Sequence, residues 1–293
     1  MMHIPTKKLK NGFIMPVFGL GTWNMGGKSK RGIARDDQAD ILAIKTAIEL
    51  GVTHLDTAES YNDEEIIYAE ELIGQAIRDF NRKDLFIVSK VSFDFSYNGI
   101  MSAVQDSLRR LQTDYLDLYL LHTHKLEFPL RESLHALDEL VERGLIKNIG
   151  VSNFLPESLK EAQSLTKNKI VCNQVHYNLV YREPEDKGLV NYCQKEDVFL
   201  VAWSPLERGA LMETPPMILK EMAEKYHKTP AQISLNWLIS QDKVTAIAKT
   251  RSIEHLKENL GAVGWEMDRE DIEKLRLEFP NQQVTSSTSV ILS

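Results

Sequence analysis

Four side chains in this sequence form a chemical unit when taken together: Asp56, Tyr61, Lys90 and His122. A free phenol ionises near ~10, too weak an acid to serve at neutral pH. An ammonium beside it favours the phenolate and lowers that value, and a carboxylate paired with the ammonium keeps it charged and in place. An imidazole can orient a carbonyl oxygen or share its proton. Such a set protonates an oxygen that is gaining negative charge, the general-acid half of a carbonyl reduction. Each residue also has a plainer role: Asp56 as a helix N-cap, Lys90 as a solvated strand-end charge, and His122 with His124 as half of a metal site. No Cys cluster and no H-E-x-x-H accompanies that histidine pair, so a metal is not expected. His54 shares a strand face with Asp56 and reads as a hydrogen-bonded core histidine.

The elements that must position these residues are legible as a repeat. Residues 51–74 run from a short apolar strand at 52–55, through Asp56 and Tyr61, into a helical stripe carried by Ile66, Ile67, Ala69, Leu72 and Ile73. Apolar strand patterns recur at 17–20, 85–89, 116–120, 146–151, 170–175, 199–202 and 245–248. Helical patterns alternate with them at 38–50, 64–80, 100–111, 130–143, 156–166, 185–195, 229–240 and 253–263. Pro156 and Pro230 sit at first helical turns. Eight strand–helix units leave a closed (β/α)8 barrel or an open doubly wound sheet. No G-x-G-x-x-G follows the first strand, because Gly19-Leu20-Gly21 leads into Trp23, Asn24 and Met25. The α/β TIM barrel is therefore the expected fold.

The first dozen residues, with Asn11-Gly12, predict a β-hairpin ahead of the barrel. Residues 1–293 read as one barrel domain, with a polar Ser/Thr-rich tail from about 280 that lies over the surface or moves. In this fold, active sites collect just after the strands. There the sequence places Gly21-Thr22-Trp23, Asp56 with Tyr61, Ser89-Lys90, His122, Ser152-Asn153, Asn173-Gln174, Trp203-Ser204-Pro205-Leu206 and Lys249 to Ser252. Phe93, Phe95, Tyr97, Phe128 and Trp23 predict an aromatic mouth.

Composition narrows the function classes. At 43% hydrophobic and 26% charged, the 293 residues are ordinary globular material. Against 42 acidic residues, 35 basic ones give a net charge of −7, with no clustered basic face for a phosphate backbone. Two cysteines, Cys172 and Cys193, are too few for a disulfide framework and read as reduced structural residues. No signal-like segment and no apolar run near the ~20 residues of a bilayer span is present. A cytoplasmic protein without nucleic-acid or membrane partners is expected.

The ordered series Gly19-Leu20-Gly21-Thr22-Trp23, Asp56-Thr57-Ala58-x-x-Tyr61, Ser89-Lys90, Leu121-His122, Gly150-Val151-Ser152-Asn153-Phe154, Asn173-Gln174-Val175, Trp203-Ser204-Pro205-Leu206 and Lys249 to Asn259 resembles the aldo-keto reductase superfamily. The likeness spans about residues 8–265 and is nearest the prokaryotic-type members with short external loops. It implies an NADP(H)-dependent oxidoreductase, NAD(H) also being admissible, that interconverts aldehydes or ketones with alcohols. Tyr61 would be the general acid, Lys90 and Asp56 its tuning pair, and His122 the group orienting the carbonyl; Trp23, Tyr61 and His122 would meet the substrate. Ser152, Asn153 and Gln174 would bind the nicotinamide carboxamide, and Trp203 would stack on its ring. Ser204, Pro205, Leu206, Arg208 and Gly209 would hold the pyrophosphate region, with Gly21, Thr22, Trp23 and Asp56 also beside the cofactor. Lys249, Thr250, Arg251 and Ser252 would surround the 2′-phosphate, and Glu258 and Asn259 the adenine. His255 stands where many members carry a phosphate-binding Arg, and Arg251 is the expected compensation. Thr123 follows the histidine where vertebrate members often have Trp, which opens one pocket wall. The resemblance implies a monomer acting on a small-molecule carbonyl. The competing class is a nucleotide-binding regulatory subunit of the same fold with little turnover.

Overall fold

Eight short parallel strands pair edge to edge and close into a barrel. The computed structural model describes residues 3–27, 36–61, 68–123, 125–283 and 292–293. The barrel strands are β3 (Phe18–Gly21), β4 (His54–Asp56), β5 (Phe86–Val91), β6 (Leu118–Leu121), β7 (Ile149–Ser152), β8 (Ile170–His176), β9 (Phe199–Trp203) and β10 (Val244–Ala248). Each pairs with its successor, and β10 returns to β3 through Ala246 opposite Phe18. Closure distinguishes the barrel from the open sheet and leaves no sheet edge to protect.

Ahead of the barrel, β1 (Thr6–Lys8) and β2 (Ile14–Pro16) form the expected antiparallel hairpin. Its turn holds Gly12 at φ 93°, a conformation that favours glycine. The hairpin covers the end of the barrel where the strands begin. The Phe13 ring lies 6.0 Å from Phe86 and from Phe199, the first residues of β5 and β9. Buried Leu9 and Met15 join the apolar interior, and Lys7 Nζ donates to the carbonyls of Ile239, Gln241 and Val244.

The helices are α1 (Asp37–Leu50), α2 (Ala69–Ala76), α3 (Tyr97–Leu111), α4 (Leu130–Glu142), α5 (Pro156–Leu165), α6 (Glu183–Asp186), α7 (Leu189–Lys195), α8 (Ala210–Glu213), α9 (Met217–Tyr226), α10 (Pro230–Ile239), α11 (Ile253–Leu260) and α12 (Arg269–Glu278). Local chemistry sets their ends. Asp36 caps α1 by accepting from Ala39 N–H, and Gly51 ends it at φ 108°. A capping box of Thr229 and Gln232, with Pro230 in the first turn, opens α10. The helix expected at 185–195 is two, α6 and α7, because Gly188 turns the chain at φ 70°. The start of the helix expected from residue 64 lies outside the described residues.

Sequence periodicity did not anticipate α8, α9 or α12. Gln283 pairs with the backbone of Val180 and Arg182, each at 2.7 Å. Ser293 pairs with Asn153 and Leu155 at 2.9 and 2.8 Å.

The two-residue period of each strand decides which side chains face the barrel axis. The interior cluster takes Val88, Leu118, Leu120, Cys172, Phe199, Val201 and Ile247. Advancing two residues from these layers brings Lys90, His122, Gln174, Trp203 and Lys249 to the opposite mouth. One layer is tight: a Cβ on Gly150 would come within 2.4 Å of Leu120 Cδ2 and 2.7 Å of Cys172 Sγ. The other face of the sheet packs against the helices in one continuous core. No helix among the described residues is long and apolar enough to cross a membrane.

Candidate active site

The deepest charged group at the mouth is Lys90, fully buried on β5. Its Nζ donates to Asp56 Oδ1 and to the Thr57 carbonyl, both at 2.6 Å. Burial alone would push the ammonium down, but the Asp56 carboxylate and the Tyr61 hydroxyl outweigh it and hold the Lys90 pKa above its ordinary value. Asp56, 1% exposed, is not a helix cap; its second oxygen, Oδ2, accepts from Gln174 Nε2 at 2.7 Å. A buried ion pair brings little net stability, so these two charges need a further reason to be there.

Tyr61 reaches the same ammonium. Lys90 Nζ lies 5.1 Å from the Tyr61 ring centroid, close enough for its charge to act on the hydroxyl. Burial raises the phenol pKa, Lys90 offsets only part of that rise, and the phenol stays above its ordinary value rather than below it. A buried neutral phenol is protonated throughout the physiological range, as a proton donor must be before it acts.

His122 follows β6, and its ring packs edge-on to Tyr61 at 5.8 Å. Burial, aided by Lys90, lowers its pKa to about 3, so the imidazole is neutral at physiological pH. Its Nδ1 lies 2.6 Å from Ser92 Oγ. His124, its expected neighbour in a metal pair, lies outside the described residues.

Around this centre the strand ends supply a wall of amides and rings. Ser152 Oγ donates to the Gln174 carbonyl at 2.8 Å, and Asn153 Nδ2 donates to Ser152 Oγ at 2.9 Å. Asn153 takes φ 65° and also donates to the His122 carbonyl. Trp203 is half-buried, its Nε1 donating to Asn153 Oδ1 at 3.4 Å. Behind it His176 stacks at 4.4 Å and 10°, steadied by Glu207 at 3.0 Å. Thr22 donates to the Asp56 carbonyl through both N and Oγ1, joining β3 to β4 at the rim.

The loop after β9 has left-handed residues at Ser204, Glu207, Arg208 and Gly209, and it folds back on itself, with Glu207 N–H donating to the Ser204 carbonyl and Gly209 N–H to the Leu206 carbonyl. Arg208 lies 5.0 Å over the Trp23 ring and links the loops after β3 and β9. Ser252 caps α11 by accepting from His255 N–H, and Lys249, Thr250 and Arg251 precede it. A capped helix N-terminus beside positive charge is favourable ground for an anion. These residues fit the expected dinucleotide phosphate, with Glu258 and buried Asn259 one turn further along α11.

Several expected residues sit differently. Arg251 is turned to buried Asp40, Nη2 to Oδ2 at 2.8 Å, so much of its charge is already answered. Ser89 faces the helices and donates to Glu70 on α2. Asn173 bonds the backbone of Phe154. Phe95 is buried against Phe128, leaving Phe93 and Trp23 as exposed aromatics of the mouth. His54 is buried as expected, but neither ring nitrogen has a partner among the described residues. Missed altogether were Ser92, Glu59, Asp40 and His176. Each acts through a residue distant in sequence, and only the buried-side pattern of His176 on β8 offered a signal.

Residues 17–277 match the Aldo/keto reductase family. The chain belongs to that family. A thermostable aldo-keto reductase, Tm1743, solved with the inhibitor epalrestat, is 43% identical and superposes with a TM-score of 0.85 over 93% of this chain and 99% of its own. An aldo-keto reductase from Klebsiella pneumoniae in complex with NADPH is 34% identical, with a TM-score of 0.83 over 100% of both chains. The glyoxal reductase of Bacillus subtilis is 35% identical over 92% of this chain and 91% of its own. The closed barrel is thus the aldo-keto reductase fold.

Proposed function

We propose that this aldo-keto reductase reduces aldehydes or ketones to alcohols, reversibly, with NADP(H) as its main cofactor and NAD(H) as a second. The single observation that carries the assignment of roles is the buried Asp56–Lys90 ion pair, with the Lys90 ammonium 5.1 Å from the Tyr61 ring. When bound, the dihydronicotinamide supplies the hydride to the carbonyl carbon. His122 meets the carbonyl oxygen with its Nε2–H and fixes the face presented. As the carbon–oxygen π pair moves onto the oxygen, the Tyr61 proton passes to it, which leaves a phenolate beside the Lys90 ammonium. Asp56 keeps that ammonium charged while the phenolate waits for a proton from solvent. Ser152, Asn153 and Gln174 hold the carboxamide, Trp203 backs the ring, and the positive residues ahead of α11 take the 2′-phosphate.

The glyoxal reductase among its relatives makes small, reactive aldehydes the first substrates to try. Buried free thiols at Cys172 and Cys193, the latter pushed by burial up to about 12, suit a reducing cytoplasm. We read the active form as a monomer, which sedimentation would check. Initial rates over aldehydes, ketones and sugars with each cofactor, alongside Trp fluorescence titration, test the proposal. Turnover with NADPH and quenching of Trp203 are expected. A flat titration with no consumption of NADPH overturns it, and binding without turnover across the panel replaces it with the regulatory-subunit reading.

A further inference from the structure

The turn after β5 carries Ser92, a residue with no part in the steps above. Its Oγ lies 2.6 Å from His122 Nδ1 and accepts from the Ser60 hydroxyl at 3.0 Å. The backbone there is clamped. The Glu59 carboxylate, 7% exposed, accepts from both Ser92 N–H and Phe93 N–H, the second at 2.9 Å. Glu59 and Ser60 belong to the same stretch that delivers Asp56 and Tyr61, so one loop holds the phenol and, through Ser92, the imidazole.

A neutral imidazole has one donor nitrogen and one acceptor, and the partner of one nitrogen decides which is which. Ser92 Oγ already accepts a hydrogen bond from the Ser60 hydroxyl, and among the described residues His122 Nδ1 is the acceptor within reach of its own proton. The chain of donors therefore runs Ser60 to Ser92 to His122. We propose that Ser92 is a positioning residue for His122: its hydroxyl donates to Nδ1, turns the ring, and keeps the ring proton on Nε2, where a substrate carbonyl can accept it. This rests on the carbonyl-reducing reading of the site. The low pKa of His122 agrees with it, since a neutral ring has a tautomer to fix and an imidazolium has none. The device acts across 30 residues of sequence and joins the ends of β5 and β6, which periodicity alone cannot pair.

The test compares Ser92→Ala and Ser92→Thr with the unaltered protein. Imidazole nitrogen NMR should show His122 as a single Nε2–H tautomer in the unaltered protein and in Ser92→Thr, and as a mixture in Ser92→Ala. With NADPH saturating, kcat in Ser92→Ala should fall about fivefold to tenfold, the worth of one lost hydrogen bond. The affinity for NADPH should be unchanged, and Ser92→Thr should recover most of the rate. An unchanged tautomer in Ser92→Ala, or Ser92→Thr impaired as badly as Ser92→Ala, overturns the proposal. If the unaltered protein reduces no carbonyl at all, the function falls separately, while the nitrogen spectra still decide what Ser92 does.

Discussion

Arg251 is under two demands that a single substitution separates. Its guanidinium precedes α11, where a 2′-phosphate would sit, yet it is spent on the buried Asp40 carboxylate, which also accepts from Gly26 N–H at 3.0 Å. Asp40→Asn frees the charge. The ratio of NADPH to NADH affinity, read by fluorescence titration, should rise at least about fivefold, because removing one opposing charge beside the guanidinium is worth roughly 1 kcal/mol even with full solvent screening. An unchanged ratio would place the 2′-phosphate elsewhere. Residues of this kind mark the limit of the sequence. Asp56, Tyr61, Lys90 and His122 stood out because each follows a strand and their chemistry interlocks. Asp40 gave no such signal, because its partner lies 211 residues away on the far side of barrel closure.

At the scale of elements, α2 must sit close to α3 if the Tyr61 loop is to reach Lys90. Gly74 permits that approach, since a Cβ there would meet the Arg110 carbonyl oxygen at 2.4 Å. A buried Glu70 carboxylate paired with Arg110 Nε at 2.6 Å then locks the two helices. Gly74→Ala should lower stability by about 1–3 kcal/mol in denaturant titration, the cost of overpacking a tight contact. A neutral effect would mean the helices can part without loss. The same close packing explains which elements were readable. Strands inside the barrel are continuous apolar runs, so all eight were visible within a few residues. In contrast α12 (REDIEKLRLE) buries little beyond Leu275 and Asp271, and α9 is a short run between Pro216 and left-handed His227. Neither offers a long stripe, and their place comes from packing, α9 on α10 and α12 on α9, rather than from periodicity.

For the molecule as a whole, closing the barrel around buried histidines makes stability depend on pH. Burial lowers the His54 pKa to about 4, although Asp56 nearby opposes the shift. As pH falls below about 6.5 the unfolded chain takes up a proton that the folded chain still refuses. Between these values the unfolded state binds more protons, so stability is full above roughly pH 6.5 and declines toward pH 4, by about 3 kcal/mol in all. His122, lowered to about 3, adds a loss of the same sign. Urea unfolding across that range should show the decline, and His54→Leu should make it shallower, leaving the His122 part; an equally steep decline in His54→Leu would assign it to other groups.

The account centres on a protonated phenol held against the Asp56–Lys90 pair at the open end of the barrel. Tyr61→Phe removes only the hydroxyl from that arrangement. Measured on one preparation, NADPH binding by fluorescence should be unaltered while carbonyl reduction falls by about a thousandfold, within the typical general-acid contribution of about 10²–10⁴. Full reduction by Tyr61→Phe, with the cofactor still bound, would contradict it.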